Sequence, residues 1–226
     1  MVRMNRYVCE LLGTFCLVFA GTGAIAVNEI SGAIGHVGIA LTFGLIVMCM
    51  IYSVGDVSGA HLNPAVTFGF WCLRLFPGKE VFPYIVSQVA GAVLASLMVK
   101  YFVPASETLG MTLPAESMSL FSTCLLEAIL TFMLMFVIIH VSEGAKEVGL
   151  MAGVAIGGVV ALEAMFAGPL TGASMNPARS IGPAVCAGDV HSLWIYLVGP
   201  CVGAALACVT CRLIRGEACC QGTGGC

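Results

Sequence analysis

Three short motifs recur in the same order in the two halves of this chain, and that recurrence constrains the fold more than any other feature. Glu10–Phe19 reads ELLGTFCLVF and Glu127–Phe136 reads EAILTFMLMF. Gly59–Val66, GAHLNPAV, matches Gly172–Arg179, GASMNPAR. Gln88–Ser96, QVAGAVLAS, matches Pro200–Cys208, PCVGAALAC. The offsets are 117, 113 and 112 residues.

The solvent of this repeat follows from composition. Of 226 residues, 59% are hydrophobic and 9% charged, whereas a soluble domain carries about a quarter charged residues. Most of the surface must therefore face lipid, and the chain reads as a multi-span membrane protein. A net charge of −3 with no basic stripe excludes a nucleic-acid partner.

A hydrocarbon core of about 30 Å needs roughly 20 apolar residues per helix. Six segments qualify: 7–27, 35–54, 82–103, 118–141, 149–167 and 192–214. The run after Arg6 is too long for a signal-peptide core and reads as the first span. Lys and Arg mark the cytoplasmic side. Arg3 and Arg6, Arg74 and Lys79, Lys146, and Arg212 and Arg215 fall on one set of loops, Lys100 being the exception. Both termini are thus expected in the cytoplasm.

Three spans per repeat force the second copy to insert upside down, and an inverted repeat places its site at the midplane, on discontinuous helices. The segments carrying Asn63-Pro64-Ala65 and Asn176-Pro177-Ala178 are too short to cross. Proline suits the first helical position and asparagine the position before it. Each triplet therefore starts a short helix at mid-depth, and inversion points the two positive N-terminal ends at each other. Such ends repel cations and interrupt a proton-carrying water chain. Irregular backbone at this depth must be buried or line a wet cavity. Arg179 adds a permanent charge and five donors one turn into the second short helix. An intramembrane arginine is functional by default, with a carboxylate-paired structural arginine as the other reading.

Paired NPA motifs in an inverted six-span repeat resemble the aquaporin and aquaglyceroporin family over nearly the whole chain, Tyr7 to Leu213. "SGAHLNPAVT" and "GPLTGASMNPARSIGPAV" look closest to the nodulin-like branch and its bacterial relatives. The resemblance implies an all-α membrane fold, six transmembrane helices plus two re-entrant half-helices. It implies one channel domain, 1–226, with repeats over about 7–103 and 118–214 and a cytoplasmic tail, 215–226. It implies a homotetramer with one pore per protomer, multi-pass in the cell membrane.

By the same resemblance, Glu10 and Glu127 hold the re-entrant loops, and His61 lies beside the pore with its carbonyl, or those of its neighbours, forming a polar rail. The narrow filter maps to Phe43, Ala164, Ala173 and Arg179. Strict water channels carry a histidine where this chain has Ala164, so a wider, more apolar constriction is expected. Glycerol facilitators usually follow the filter arginine with aspartate, whereas here Ser180 stands. Tyr196-Leu197 takes the place of the aromatic pair often found in span 6 of water channels. The mixture looks like the nodulin-like branch, whose members pass glycerol, urea and uncharged metalloid acids such as arsenous acid. Phe43 argues against the largest of these, silicic acid.

The function expected is a passive channel for water and small uncharged solutes that excludes protons and ions. A water-selective channel and a secondary transporter are the alternatives. A transporter needs midplane polar groups, and only Glu10, Glu127 and Glu163 offer themselves. No catalytic pairing of side chains is present, so no enzyme, cofactor or metal is expected. Glu163, beside a filter position, either faces a neighbouring helix and hydrogen-bonds there, or is protonated; a one-residue slip would put it in the pore. Asp56 reads as a solvated loop carboxylate or a gate. Cys9, Cys16, Cys49, Cys124, Cys201 and Cys208 sit in apolar runs as small hydrophobes. Cys219, Cys220 and Cys226 form either a functionless tail or a soft-ion site.

Overall fold

In lipid every backbone N–H and C=O must find a partner within the protein, so a chain this apolar crosses as helix. The computed structural model describes residues 2–142 and 149–216, with no strand among them. Lys146, Cys219, Cys220 and Cys226 lie outside the described residues. Six helices are long and apolar enough to cross a membrane: α1 (Val2–Ser31), α2 (Gly35–Ser58), α4 (Gly78–Phe102), α5 (Leu120–Ser142), α6 (Ala152–Thr171) and α8 (Ile195–Arg215). Between them lie α3 (Pro64–Cys72) and α7 (Pro177–Ala187), of 9 and 11 residues. At about 1.5 Å per residue they cover roughly half a bilayer core each.

Helices α1, α2 and α4 outrun the expected spans by a few residues, because polar end groups find partners there. Arg6 Nε donates to the Val57 carbonyl at 3.2 Å, and the Tyr7 hydroxyl donates to Glu80, tying the first turns of α1 to α2 and α4. Asn28 Oδ1 accepts from Gly35 N at 2.7 Å, stitching the end of α1 to the start of α2. Since α2 continues to Ser58, Asp56 is an exposed residue of its last turns rather than of a loop.

Packing repeats between the halves. In the first, α1 lies against α4; in the second, α5 lies against α8; α2 and α6 join the two. Small residues let the backbones touch. A Cβ on Gly91 would sit 2.2 Å from the Leu11 carbonyl oxygen, and one on Gly203 would sit 2.1 Å from that of Ala128. Gly44 and Gly157 face each other, with added Cβ atoms 2.4 and 2.6 Å from the opposite carbonyl oxygen.

Outward faces carry exposed Leu12, Leu45, Phe82, Leu125 and Leu206, whereas Glu10, Gln88, Glu127 and Thr131 are fully buried. The outside is apolar, and the polar side chains of the spans are kept inside among an apolar core, as lipid demands. The far ends of the half-helices are closed reciprocally by cations from the other half. Lys100 Nζ donates to the Cys186 carbonyl at 2.9 Å near the end of α7, and Arg212 donates to the Cys72 carbonyl at the end of α3. Each places positive charge where a helix dipole is negative. Lys100, the exception to the charge pattern of the loops, thus has a structural partner.

Candidate functional site

The two segments that lead into the half-helices adopt the same backbone path. Each begins with a left-handed glycine closing the preceding helix, Gly59 at φ 86° and Gly172 at φ 84°. Ala60 and Ala173 follow at φ 47° and 41°, and Leu62 and Met175 at 51° and 53°. Left-handed conformations of non-glycine residues cost of order 1–3 kcal/mol each and persist only where surroundings impose them.

A buried carboxylate under each segment does so. Glu10 accepts from His61 N at 2.9 Å and Leu62 N at 2.7 Å, and Gln88 Nε2 donates to it at 2.8 Å. Glu127 accepts from Ser174 N at 3.0 Å, Met175 N at 2.9 Å and the Thr171 hydroxyl at 2.7 Å. A tyrosine braces each corner: Tyr84 donates to the Ser58 carbonyl and Tyr196 to the Thr171 carbonyl, both at 2.8 Å. Tyr196 is fully buried in this brace.

Both half-helices start as their sequences dictate. Asn63 is extended, and its Oδ1 accepts from Ala65 N at 2.9 Å with Pro64 at the first helical position. Asn176 Oδ1 accepts from Ala178 N at 3.0 Å and Arg179 N at 3.3 Å, with Pro177 in the same place. The amide nitrogens reach across the centre. Asn63 Nδ2 donates to the Met175 carbonyl at 2.8 Å, and Asn176 Nδ2 donates to the Leu62 carbonyl at 2.9 Å. An amide has two N–H groups, so each keeps one for the cavity that both side chains line.

That cavity, about 120 Å³, is bordered by both Asn-Pro-Ala segments and by apolar walls from α2, α5 and α6. Phe43, Ala164, Ala173 and Arg179 all border it. The Arg179 guanidinium carbon lies 5.0 Å from the centre of the Phe43 ring, within cation–π reach. Its Nη1 donates to the Gly110 carbonyl at 2.8 Å, while Nε and Nη2, both buried, have no hydrogen-bond partner among the described residues. No carboxylate is hydrogen-bonded to the guanidinium among the described residues.

His61 borders the cavity, but its ring is held from behind. It packs on Phe70, Phe76 and Tyr84, and Nδ1 lies 3.1 Å from Thr67 Oγ1. Glu163 does not border the cavity, because Ala164, one residue on, takes that position. It is fully buried, and neither carboxyl oxygen has a hydrogen-bond partner among the described residues. Of its two readings, the hydrogen bond to a neighbouring helix is therefore not formed there.

Several partners escape sequence reasoning. Ser180, which follows Arg179, shares hydrogen bonds with Ser174 at 2.6 Å and Thr112 at 2.8 Å. Gly110 and Thr112 come from the connection between the halves, where no periodicity or motif marks them. The recurrent tyrosines were detectable only as a second pair at the 112-residue offset.

Comparison with known proteins matches residues 2–210 to the family model described as Major intrinsic protein. The chain is 47% identical over 213 residues to Aquaporin NIP1-4 of Oryza sativa subsp. japonica, covering 94% of this chain and 77% of that one. It is 43% identical over 217 residues to Probable aquaporin NIP-type of Nicotiana alata, covering 95% and 79%. The crystal structure of the aquaglyceroporin from Plasmodium falciparum superposes with a TM-score of 0.86 at 26% identity, covering 96% of this chain and 98% of that one.

Proposed function

Since the chain belongs to the major intrinsic protein family and is a membrane channel for water and small solutes, we propose that its solutes are uncharged, namely glycerol, urea and metalloid acids such as arsenous acid, with protons and ions excluded. The observation that carries this reading is the constriction. Only Phe43 is bulky among its apolar members; Ala164 and Ala173 keep the apolar side small, while Arg179 adds a charge and two donors that have no hydrogen-bond partner among the described residues. A polyol or a metalloid acid has the matching two faces, carbon or a bare centre on one side and hydroxyls on the other.

Ion exclusion rests on three groups. Arg179 carries a fixed charge on the lumen. The N-termini of α3 and α7 add two partial positive charges. The Asn63 and Asn176 amides, donors towards the lumen, orient a passing water so that it accepts from both and cannot relay a proton. Glu10 and Glu127 act one layer back, holding the loops that aim these donors. His61 contributes its place on the wall, and its carbonyl or those of its neighbours the polar rail.

We read the chain as both-termini-cytoplasmic, in the cell membrane, with four protomers each carrying a pore. It is a conduit rather than an enzyme. A water-selective channel is the nearest alternative, favoured by Phe43; a secondary transporter is the more distant one. Stopped-flow light scattering on proteoliposomes separates them. Fast water, glycerol and arsenous acid flux supports the wide filter. Water flux without solute flux means that Phe43 closes the constriction, and the solute range proposed here is then wrong.

A further inference from the structure

Arg179 has one hydrogen-bond partner for its guanidinium among the described residues, the Gly110 carbonyl. The orientation of the charged group in the constriction therefore depends on what fixes one peptide of the connection between α4 and α5. That connection is bound from outside by Glu29, an exposed residue in the last turn of α1. Glu29 Oε2 accepts from the Ser106 hydroxyl at 2.7 Å and the Thr108 hydroxyl at 2.8 Å, and Oε1 accepts from Glu107 N at 3.0 Å.

Those two hydroxyls are not end points. Having given their protons to the carboxylate, they turn their lone pairs inward. Ser106 Oγ accepts from Leu109 N at 3.1 Å, and Thr108 Oγ1 accepts from Gly110 N at 3.2 Å. Leu109 and Gly110 are both left-handed, at φ 51° and 70°. The pair, strained at Leu109, is held at its N–H groups by the hydroxyls and at its far side by α1, since a Cβ on Gly110 would meet Thr22 at 2.8 Å. The Gly110 carbonyl of this turn is what Arg179 uses.

We infer that Glu29 is a positioning residue for the channel's selectivity: through Ser106 and Thr108 it holds the Gly110 carbonyl that draws Arg179 against the wall. Without that tether the guanidinium, with two nitrogens already unpartnered, turns into the lumen. The inference rests on the channel reading given above. Glutamine at position 29 keeps the size but offers one acceptor oxygen in place of two. Gly110 is a poor test site, because any side chain there collides with α1.

The experiment compares glycerol and water permeability, per reconstituted channel, for wild type, Glu29→Gln, the Ser106→Ala/Thr108→Ala double variant, Arg179→Val and Glu29→Gln/Arg179→Val. Loss of one charge-assisted hydrogen bond permits roughly a tenfold shift in side-chain population. Glycerol permeability is therefore expected to fall about tenfold in Glu29→Gln and in the hydroxyl double variant, with water permeability changed less than about twofold. In the Arg179→Val background Glu29→Gln is expected to change neither flux. A proportional fall in both fluxes, an unchanged ratio, or the same drop in the Arg179→Val background overturns the inference. If wild type passes water but no glycerol, the proposed solute range fails instead. The coupling between positions 29 and 179 is then read on water flux, where an equal effect in both backgrounds again overturns it.

Discussion

Adjacent residues on a helix point about 100° apart, so at any pore wall one faces the lumen while its neighbour faces protein. Ala164 and Glu163 are such a pair. Replacing Ala164 with histidine adds bulk and a polar ring to the open wall opposite Phe43. Glycerol permeability should fall by an order of magnitude or more while water falls only modestly, as stopped-flow flux on the two solutes will show. Equal losses would mean that the constriction lies elsewhere. Glu163 tests the opposite face. Its carboxyl is buried with no hydrogen-bond partner among the described residues, a state that costs about 1–3 kcal/mol. Glu163→Met should raise the melting temperature in detergent and leave both fluxes as they are. A lowered melting temperature would show that the carboxyl is satisfied in the membrane, and a changed flux would put it on the lumen.

At the scale of elements, the decisive contacts are backbone against backbone. Gly203 lies so close to Ala128 that a side chain must push α8 away from α5, and Ala128 follows the carboxylate that supports the second re-entrant segment. Gly203→Val should destabilise the protein by about 1–3 kcal/mol, as overpacking does, and should reduce flux by displacing Glu127. Gly158→Val is the control, since a Cβ there meets nothing within 4 Å. Melting curves of the two variants should differ, and similar curves would argue against close packing as the constraint. This level was also the most legible in sequence. Apolar runs and charge bias gave the spans, and the Asn-Pro pairs gave the half-helix starts, because both signals are local. Gln88 and Thr171 stood inside quoted motifs, but nothing local marked them as partners of the buried carboxylates. Glu29, Ser106, Thr108 and Gly110 were invisible for a different reason: their meaning comes from contacts about 77 to 79 residues apart, or 69 for Gly110 and Arg179, in a segment with no period.

For the whole molecule the question is whether the two halves move against each other. An alternating-access transporter built on an inverted repeat exposes its site by rocking one part against another. Here the halves are tied at three levels. At the centre, each asparagine amide donates to the opposite loop. At the ends, Lys100 of the first half closes α7 and Arg212 of the second closes α3. Between them, Gly44 and Gly157 hold α2 and α6 in backbone contact. Rocking would break the central pair together, leaving two buried carbonyls and two amides short of partners, at about 1–3 kcal/mol each. The cavity lies between these ties and is lined by groups that they hold in place. Solute flux should therefore rise linearly with concentration, far past the range in which a carrier saturates. It should also be indifferent to an imposed proton or sodium gradient. Initial rates of isotope-labelled glycerol uptake, measured over a wide concentration range with and without such gradients, decide the matter. Saturation with gradient dependence would mean that the central hydrogen bonds open in each cycle, and the molecule would then be a carrier built on a channel's frame.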